Sequence, residues 1–160
     1  MDKNVALGNI PLFANLTGTD LEKLSEIARE VVFDKGKRVF EEGSIGDSLY
    51  LIVSGSVRVL KKGRAADEEV TTLGPGEHFG EMAIIDEGLR SATIEAIERT
   101  HLIQIKRADL EHLLATDLDM AYKIYSTMAK YLCLRLRQTT YGFASKTELQ
   151  NFLLGYMFQH

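Results

Sequence analysis

The sequence predicts a mainly β protein with flanking helices: a compact β barrel or roll between a short N-terminal helix and longer C-terminal ones. Three observations carry this reading. From Val31 to Lys106 short apolar runs alternate, as in Leu49, Leu51 and Val53, then Val57 and Val59, then Ile103 and Ile105, which is the period of half-buried strands. Gly36, Gly43, Gly46, Gly55, Gly63, Gly74, Gly76 and Gly88 separate those runs, as turn residues do. On either side of this stretch the apolar spacing lengthens to the helical period.

Taken in order, the first helix is expected over roughly residues 20–30. Thr19 and Glu22 have capping-box spacing, and Leu21, Leu24, Ile27, Ala28 and Val31 follow on one face. Within the roll, the stretch Leu73-Gly74-Pro75-Gly76 fits a type II turn counted from Gly74, because proline presets φ at the second position and glycine alone takes positive φ cheaply at the third. After Lys106 a short helix is expected from Ala108 to Ala115, and a long one from about Leu118 to Thr139. The long helix carries two apolar lines: Leu118, Tyr122, Tyr125, Ala129, Leu132 and Leu136, and beside it Ala121, Ile124, Met128 and Tyr131. One line could dock on the roll while the other meets a second copy in a homodimer, or both could form one wide buried face. A last helix is expected from Ser145, which with Glu148 repeats the capping-box spacing ahead of Leu149, Phe152, Leu153, Tyr156 and Met157.

Composition bounds the function. A chain of 160 residues, 45% hydrophobic and 26% charged, has the make-up of one folded domain rather than a disordered one. A net charge of -4 argues against a nucleic-acid partner. No apolar run is long enough to span a membrane, and the N-terminus lacks the pattern of a signal peptide, so a cytoplasmic protein is expected. The single cysteine, Cys133, excludes an internal disulfide and reads as a small buried residue.

Chemistry concentrates in His78 to Thr93, HFGEMAIIDEGLRSAT, where a carboxylate and a guanidinium stand nine positions apart among glycines and small residues. Gly80 leaves the backbone bare, and a helical start at Met82 and Ala83 would point N–H groups at an anion. Arg90, returning at the head of a strand from Ala92 to Ile97, would add a forked cation to those amides. Glu81 would repel an anion unless the ligand also shows donors, as sugar hydroxyls do. A ribose phosphate answers both groups. The other reading of such a pair is a surface ion pair worth little.

The segment FGEMAIIDEGLRSAT resembles the phosphate-binding cassette of cyclic nucleotide-binding domains. Upstream, GSIGDSLYLIVSGSVRVL is similar to a second signature of that family, with Gly43, Gly46, Asp47, Tyr50, Ile52, Gly55, Val57 and Val59 in register. The similarity extends over roughly residues 10 to 138 and is of the kind shared by catabolite activator-like regulators and kinase regulatory subunits. It implies an eight-stranded antiparallel β roll, jelly-roll-like, in residues 10–140, with 141–160 as a short helical extension. It also implies a ligand, cAMP or cGMP. By the same resemblance Glu81 would accept from the ribose 2'-hydroxyl and Arg90 would pair with the cyclic phosphate. The amides of Met82 and Ala83 and the Ser91 hydroxyl would complete the anion site beside Ala92, and Gly80 would let the backbone approach the sugar. The 118–139 helix would close the pocket and couple occupancy to its own position.

The departures matter as well. Leu89 stands where many eukaryotic members have proline, and Ser91-Ala92 follows the arginine as in the bacterial branch. By the resemblance, the lid-helix positions that read adenine in the bacterial branch fall on Arg135 and Leu136, which leaves the base open. A serine such as Ser91 can contact phosphate in cAMP binders, although its hydroxyl can also reach a guanine amino group. On this reading cAMP is favoured over cGMP with Arg135 as the base contact, against the plain reading of a solvated helix arginine. Only about twenty residues follow Thr140, too few for the DNA-binding domain of the bacterial regulators, so a sensor acting through a homodimer or an effector protein is expected, unless the chain is a fragment of a longer protein. A cupin-like metalloenzyme would need clustered imidazoles, and His78, His101, His112 and His160 are scattered. No serine or cysteine sits in a nucleophile motif, so no metal, no catalytic residue and no enzyme activity are expected. The remaining alternative is a roll that has lost its ligand and serves in docking.

Overall fold

The structure, a computed structural model, describes residues 2–84 and 86–141. The helix expected from Ser145 lies outside the described residues, as do the side chains of Met82 and Arg135. Among the described residues eight strands form: β1 (Arg29–Phe33), β2 (Arg38–Phe40), β3 (Ser48–Ser54), β4 (Val57–Lys62), β5 (Asp67–Leu73), β6 (His78–Phe79), β7 (Thr93–Ala96) and β8 (Thr100–Lys106). They pair antiparallel in two four-stranded sheets, ordered β1-β8-β3-β6 and β2-β7-β4-β5. This is the expected eight-stranded roll. Helices α1 (Lys3–Gly8), α2 (Gly18–Ile27), α3 (Arg107–Thr116) and α4 (Leu118–Tyr141) flank it, with 3-10 turns at Pro11–Phe13 and Glu81–Ile84.

Strand β3, SLYLIVS, shows why the roll and the helices cohere. Its alternate side chains serve different cores: Leu49 and Leu51 face the helices with Leu7, Phe13, Ile124 and Met128, while Tyr50 and Ile52 face the roll interior with Val57, Phe79 and Leu102. A strand covered on both faces reads as a near-continuous apolar run rather than a clean alternation. Each large side chain so buried contributes about 1.5–3 kcal/mol.

Turns follow the local chemistry. Gly76 takes φ +83°, and the Glu77 amide donates to the Gly74 carbonyl at 3.1 Å, closing the type II turn that the proline and glycine predict. The cap of α2, by contrast, lies two residues earlier than expected. Asp20 N donates to the Thr17 hydroxyl at 3.2 Å and Thr17 N to the Asp20 carboxylate at 3.0 Å, a reciprocal pair that replaces Thr19 and Glu22. Lys123 of α4 also donates to that carboxylate, at 3.0 Å, an attraction Glu22 on the exposed face lacks. The same helix stops at Ile27 because Val31 pairs with Leu102 in the sheet. Helix α1 was not expected; Asp2 caps it, accepting from Asn4 N at 2.9 Å, and its Leu7 is wholly buried.

The two apolar lines of α4 part company. Ile124 and Met128 are wholly buried and Tyr131 packs beside them, whereas Leu118, Tyr122 and Leu136 are 77%, 73% and 69% exposed. The single wide buried face is therefore not what forms. Cys133, expected to be buried, is exposed, because it lies across the helix from Tyr131.

Asp20 generates a pH-dependent prediction. Burial pushes its carboxyl up, but the bonds from the Thr17 amide and Lys123 outweigh this and hold it below the ordinary aspartate value. A folded pKa below the unfolded one stabilises above the ordinary value, and the contribution fades as pH falls through the depressed one. Asp20→Asn should therefore lower stability at pH 7 by about 1–3 kcal/mol. Urea unfolding of both proteins should show that gap shrink toward pH 3; a gap of the same size at both pH values contradicts the assignment.

Candidate functional site

The segment from His78 to Ala92 is held in place by backbone geometry before any side chain acts. Strand β6 registers it on β3 through Tyr50–Phe79 and Leu51–His78. Gly80 then adopts φ +78° and starts the 3-10 turn. A Cβ there would lie 2.8 Å from the Ser48 carbonyl oxygen and 2.7 Å from Arg90 Nη1, so both the torsion and the space demand glycine. Beyond the loop, Arg90 N donates to the Ser44 carbonyl at 2.7 Å and Gly43 N to the Arg90 carbonyl at 2.8 Å. Arg90 is thus fixed three residues ahead of β7 rather than at its head.

Glu81 and Arg90 both turn inward, at 8% and 7% exposure. The surface ion-pair reading is therefore excluded. Arg90 Nη2 donates to the Ser48 carbonyl at 2.9 Å, its Cζ lies 3.9 Å from the centroid of the Phe40 ring, and Asp47 Oδ1 stands 3.9 Å from Nη2. Arg90 Nε is buried and has no hydrogen-bond partner among the described residues. Burial lowers the guanidinium pKa, against the pull of Tyr50 and Asp47, yet an arginine stays protonated. Such a cation with an unmet donor is what an anion would satisfy. Across the turn, the Tyr131 hydroxyl of α4 donates to Glu81 Oε1 at 3.1 Å, and His78 Nδ1 is 3.8 Å from Oε2.

Of the other residues expected here, Ala92 is half-buried and Ser91 is exposed, its carbonyl accepting from Lys61 Nζ. The Ala83 amide, expected to face an anion, donates to the Gly80 carbonyl at 3.1 Å and closes the 3-10 turn. Met82 supplies backbone to the same turn.

Sequence reasoning missed several participants. Phe40, Tyr50 and Phe79 form an aromatic wall with ring centroids 5.3–6.0 Å apart, and Gln104 ties it down by donating to the Tyr50 hydroxyl at 3.1 Å and the Ser48 hydroxyl at 3.0 Å. Arg107 has the widest reach. Its Nη1 donates to the carbonyls of Gly46, Ala83 and Asp86 at 2.9, 3.0 and 3.2 Å, and its own amide donates to the Asp47 carbonyl at 2.7 Å. In the sequence it is one more basic residue where a strand hands over to a helix, with no motif to single it out.

Among the described residues no group of His, Cys, Asp and Glu is arranged to hold a metal ion, and no helix is long and apolar enough to cross a membrane.

Comparison with known proteins points in one direction. A family model described as "Cyclic nucleotide-binding domain" matches residues 30–117. The chain is 34% identical over 123 residues to the "Cyclic AMP receptor protein" of Thermus thermophilus, covering 76% of this chain and 57% of that protein. It is 32% identical over 114 residues to a "cAMP-dependent protein kinase regulatory subunit" of Schizosaccharomyces pombe, covering 71% of this chain and 27% of that one. The chain thus spans between about a quarter and three-fifths of the length of these relatives. Among solved structures, the N-terminal domain of a transcriptional regulator from Streptomyces coelicolor superposes with a TM-score of 0.76 at 28% identity, covering 88% of this chain and 96% of that one.

The geometry predicts two sensitive positions. Gly80→Ala should cost about 2 kcal/mol or more, from backbone strain and the clash with Ser48. Arg107→Ala should cost about 2 kcal/mol or more by leaving buried carbonyls without a donor, and should speed amide hydrogen exchange around residues 83–90. Denaturant titration beside exchange mass spectrometry checks both; wild-type stability in either variant contradicts the packing described.

Proposed function

The chain belongs to the cyclic nucleotide-binding domain family, and from that premise we propose that it binds a cyclic nucleotide between Glu81 and Arg90, cAMP in preference to cGMP. The observation that carries this is the buried Arg90 guanidinium with an unmet Nε–H, set beside a buried carboxylate. A ligand with an anion at one end of its sugar and a hydroxyl at the other answers both. Arg90 pairs with the cyclic phosphate and Glu81 accepts from the ribose 2'-hydroxyl. The amides of Met82 and Ala83 and the hydroxyl of Ser91 complete the anion site beside Ala92, which requires Ala83 N–H to leave the Gly80 carbonyl and Ser91 to turn in. Gly80 admits the sugar. The preference for cAMP rests on the names of the two relatives, both of which specify that nucleotide, and the base contact is assigned to Arg135.

The family is one of binding domains, and the chain is a binding protein rather than an enzyme. In this reading residues 10–140 hold the site and its lid, with 141–160 an extension. Occupancy acts by shifting α4, whose exposed Leu118, Tyr122, Tyr125 and Leu136 offer an apolar line for a second copy of the chain. An effector protein reads the result.

Titration calorimetry with cAMP and cGMP tests the proposal directly. Both should release or absorb heat, cAMP binding the tighter, and each should raise the melting temperature by mass action. Arg90→Ala should weaken binding by about 2–5 kcal/mol, as when one partner of a buried charge pair is removed. Glu81→Ala and the 2'-deoxy analogues should each lose about 1.5–3 kcal/mol. Folded protein that gives no heat with either nucleotide at millimolar concentration overturns the proposal in favour of a docking module.

A further inference from the structure

We infer that Tyr131 competes with the ligand's sugar hydroxyl for Glu81, and so sets both the discrimination for ribose and the hold of α4 on the roll. The inference rests on the nucleotide-binding reading of the same site. Its starting point is the bond from the Tyr131 hydroxyl to Glu81 Oε1 at 3.1 Å, with the Tyr131 ring 6.2 Å from that of His78. His78 and Glu81 are each only 11% exposed at the side chain. A sugar hydroxyl therefore reaches the carboxylate only by displacing what covers it, and among the described residues Tyr131 of α4 is a covering group that comes from another element.

The first half of α4 is fastened independently of this contact. Lys123 pairs with Asp20 at 3.0 Å, Asn15 Nδ2 donates to the Thr127 hydroxyl at 3.1 Å, and Asp117 accepts from Met120 N at 3.1 Å and from Lys23 at 2.8 Å. Met120, Ile124 and Met128 are wholly buried in the helical core. These ties bind the helix to the N-terminal segments as far as Met128. One turn further on, Tyr131 binds it to the cassette instead. Displacing the phenol thus removes the polar tie of the helix to the cassette beyond Met128, where Leu132 still packs on the core and Leu134 is buried, and loosens that part while leaving the base in place. A ligand that breaks this bond binds more weakly than its own contacts dictate, because part of its interaction replaces one the protein already had.

Tyr131→Phe keeps the ring and removes the competing hydroxyl. In calorimetry the variant should bind cAMP about three- to tenfold more tightly than wild type, the value of one ordinary hydrogen bond. Binding of 2'-deoxy-cAMP should change less than about twofold, since without the hydroxyl nothing contests Glu81. Without nucleotide, amide exchange over residues 129–137 should be faster in Tyr131→Phe than in wild type, with exchange over 118–127 unchanged. Unchanged or weaker cAMP binding in the variant overturns the inference, the latter by making the phenol a ligand donor. An equal gain for the deoxy analogue also overturns it, as does unaltered exchange. Should wild type bind neither nucleotide, the binding reading fails first and the competition with it, a result visible before any substitution is made.

Discussion

Burying a guanidinium is the constraint around which this end of the roll is organised. Arg90 has only 7% of its surface exposed, and a charge taken that far from water is tolerated only where dipoles and counter-charges replace the lost hydration. The Ser48 carbonyl, the face of Phe40 and the more distant Asp47 supply part of this. Each of them constrains the chain that carries it. Ser48 must open β3 at that point, and Gly80 and Gly46 must lack side chains, because a Cβ at either would lie within 2.7–3.2 Å of guanidinium atoms. The backbone of Arg90 must be tethered to Ser44 and Gly43. Gly46 and Gly80, one from each sequence signature, are therefore the space left around one side chain, while Gly43 and Gly55 serve the positive φ of their own turns.

That dependence explains what could be read from the sequence and what could not. The roll, the turn at Gly74-Pro75-Gly76 and the inward Glu81 and Arg90 were legible because they rest on alternation, proline with glycine, and a motif contiguous over sixteen residues, whereas the number of strands, eight, came from the family resemblance. The start of α2 was misplaced because two overlapping pairs, Thr17–Asp20 and Thr19–Glu22, satisfy the same local rule. Lys123, more than a hundred positions away, touches Asp20 of the first pair. Cys133 was misread because a helix with apolar residues on two lines does not declare which line is buried. Arg107, Gln104 and Tyr131 were missed for one shared reason: each acts across the fold on groups at least twenty residues distant in sequence, so spacing carries no trace of them.

The distant contacts nevertheless have a common physical character. Arg107 binds the carbonyls of Ala83 and Asp86, which no strand partner claims, and the first belongs to a buried residue whose acceptor must be met by some donor. A long, permanently charged side chain at the junction of β8 and α3 is well placed to meet several at once. Its contacts to Gly46 and Ala83 tie the first signature to the second. The two motifs, separate in sequence, are thereby a single structural unit.

Strand β3 extends that unit to the helices. Its first residue, Ser48, holds Arg90 through its carbonyl, while Leu49 and Leu51 pack in the same core as Ile124 and Met128 of α4. A change of position at Arg90 is thus separated from α4 by one strand whose side chains are close-packed on both faces. Packed interiors do not deform smoothly; they move between discrete arrangements or hold still. With the base of α4 locked into that interior at Met120, Ile124 and Met128, the strand itself is the rigid side of the system. The polar joint in the system is the bond from Tyr131 to Glu81, which links the part of α4 beyond Met128 to the 3-10 turn, while Ile84 on one side and Leu132 on the other keep both elements packed on the helical core.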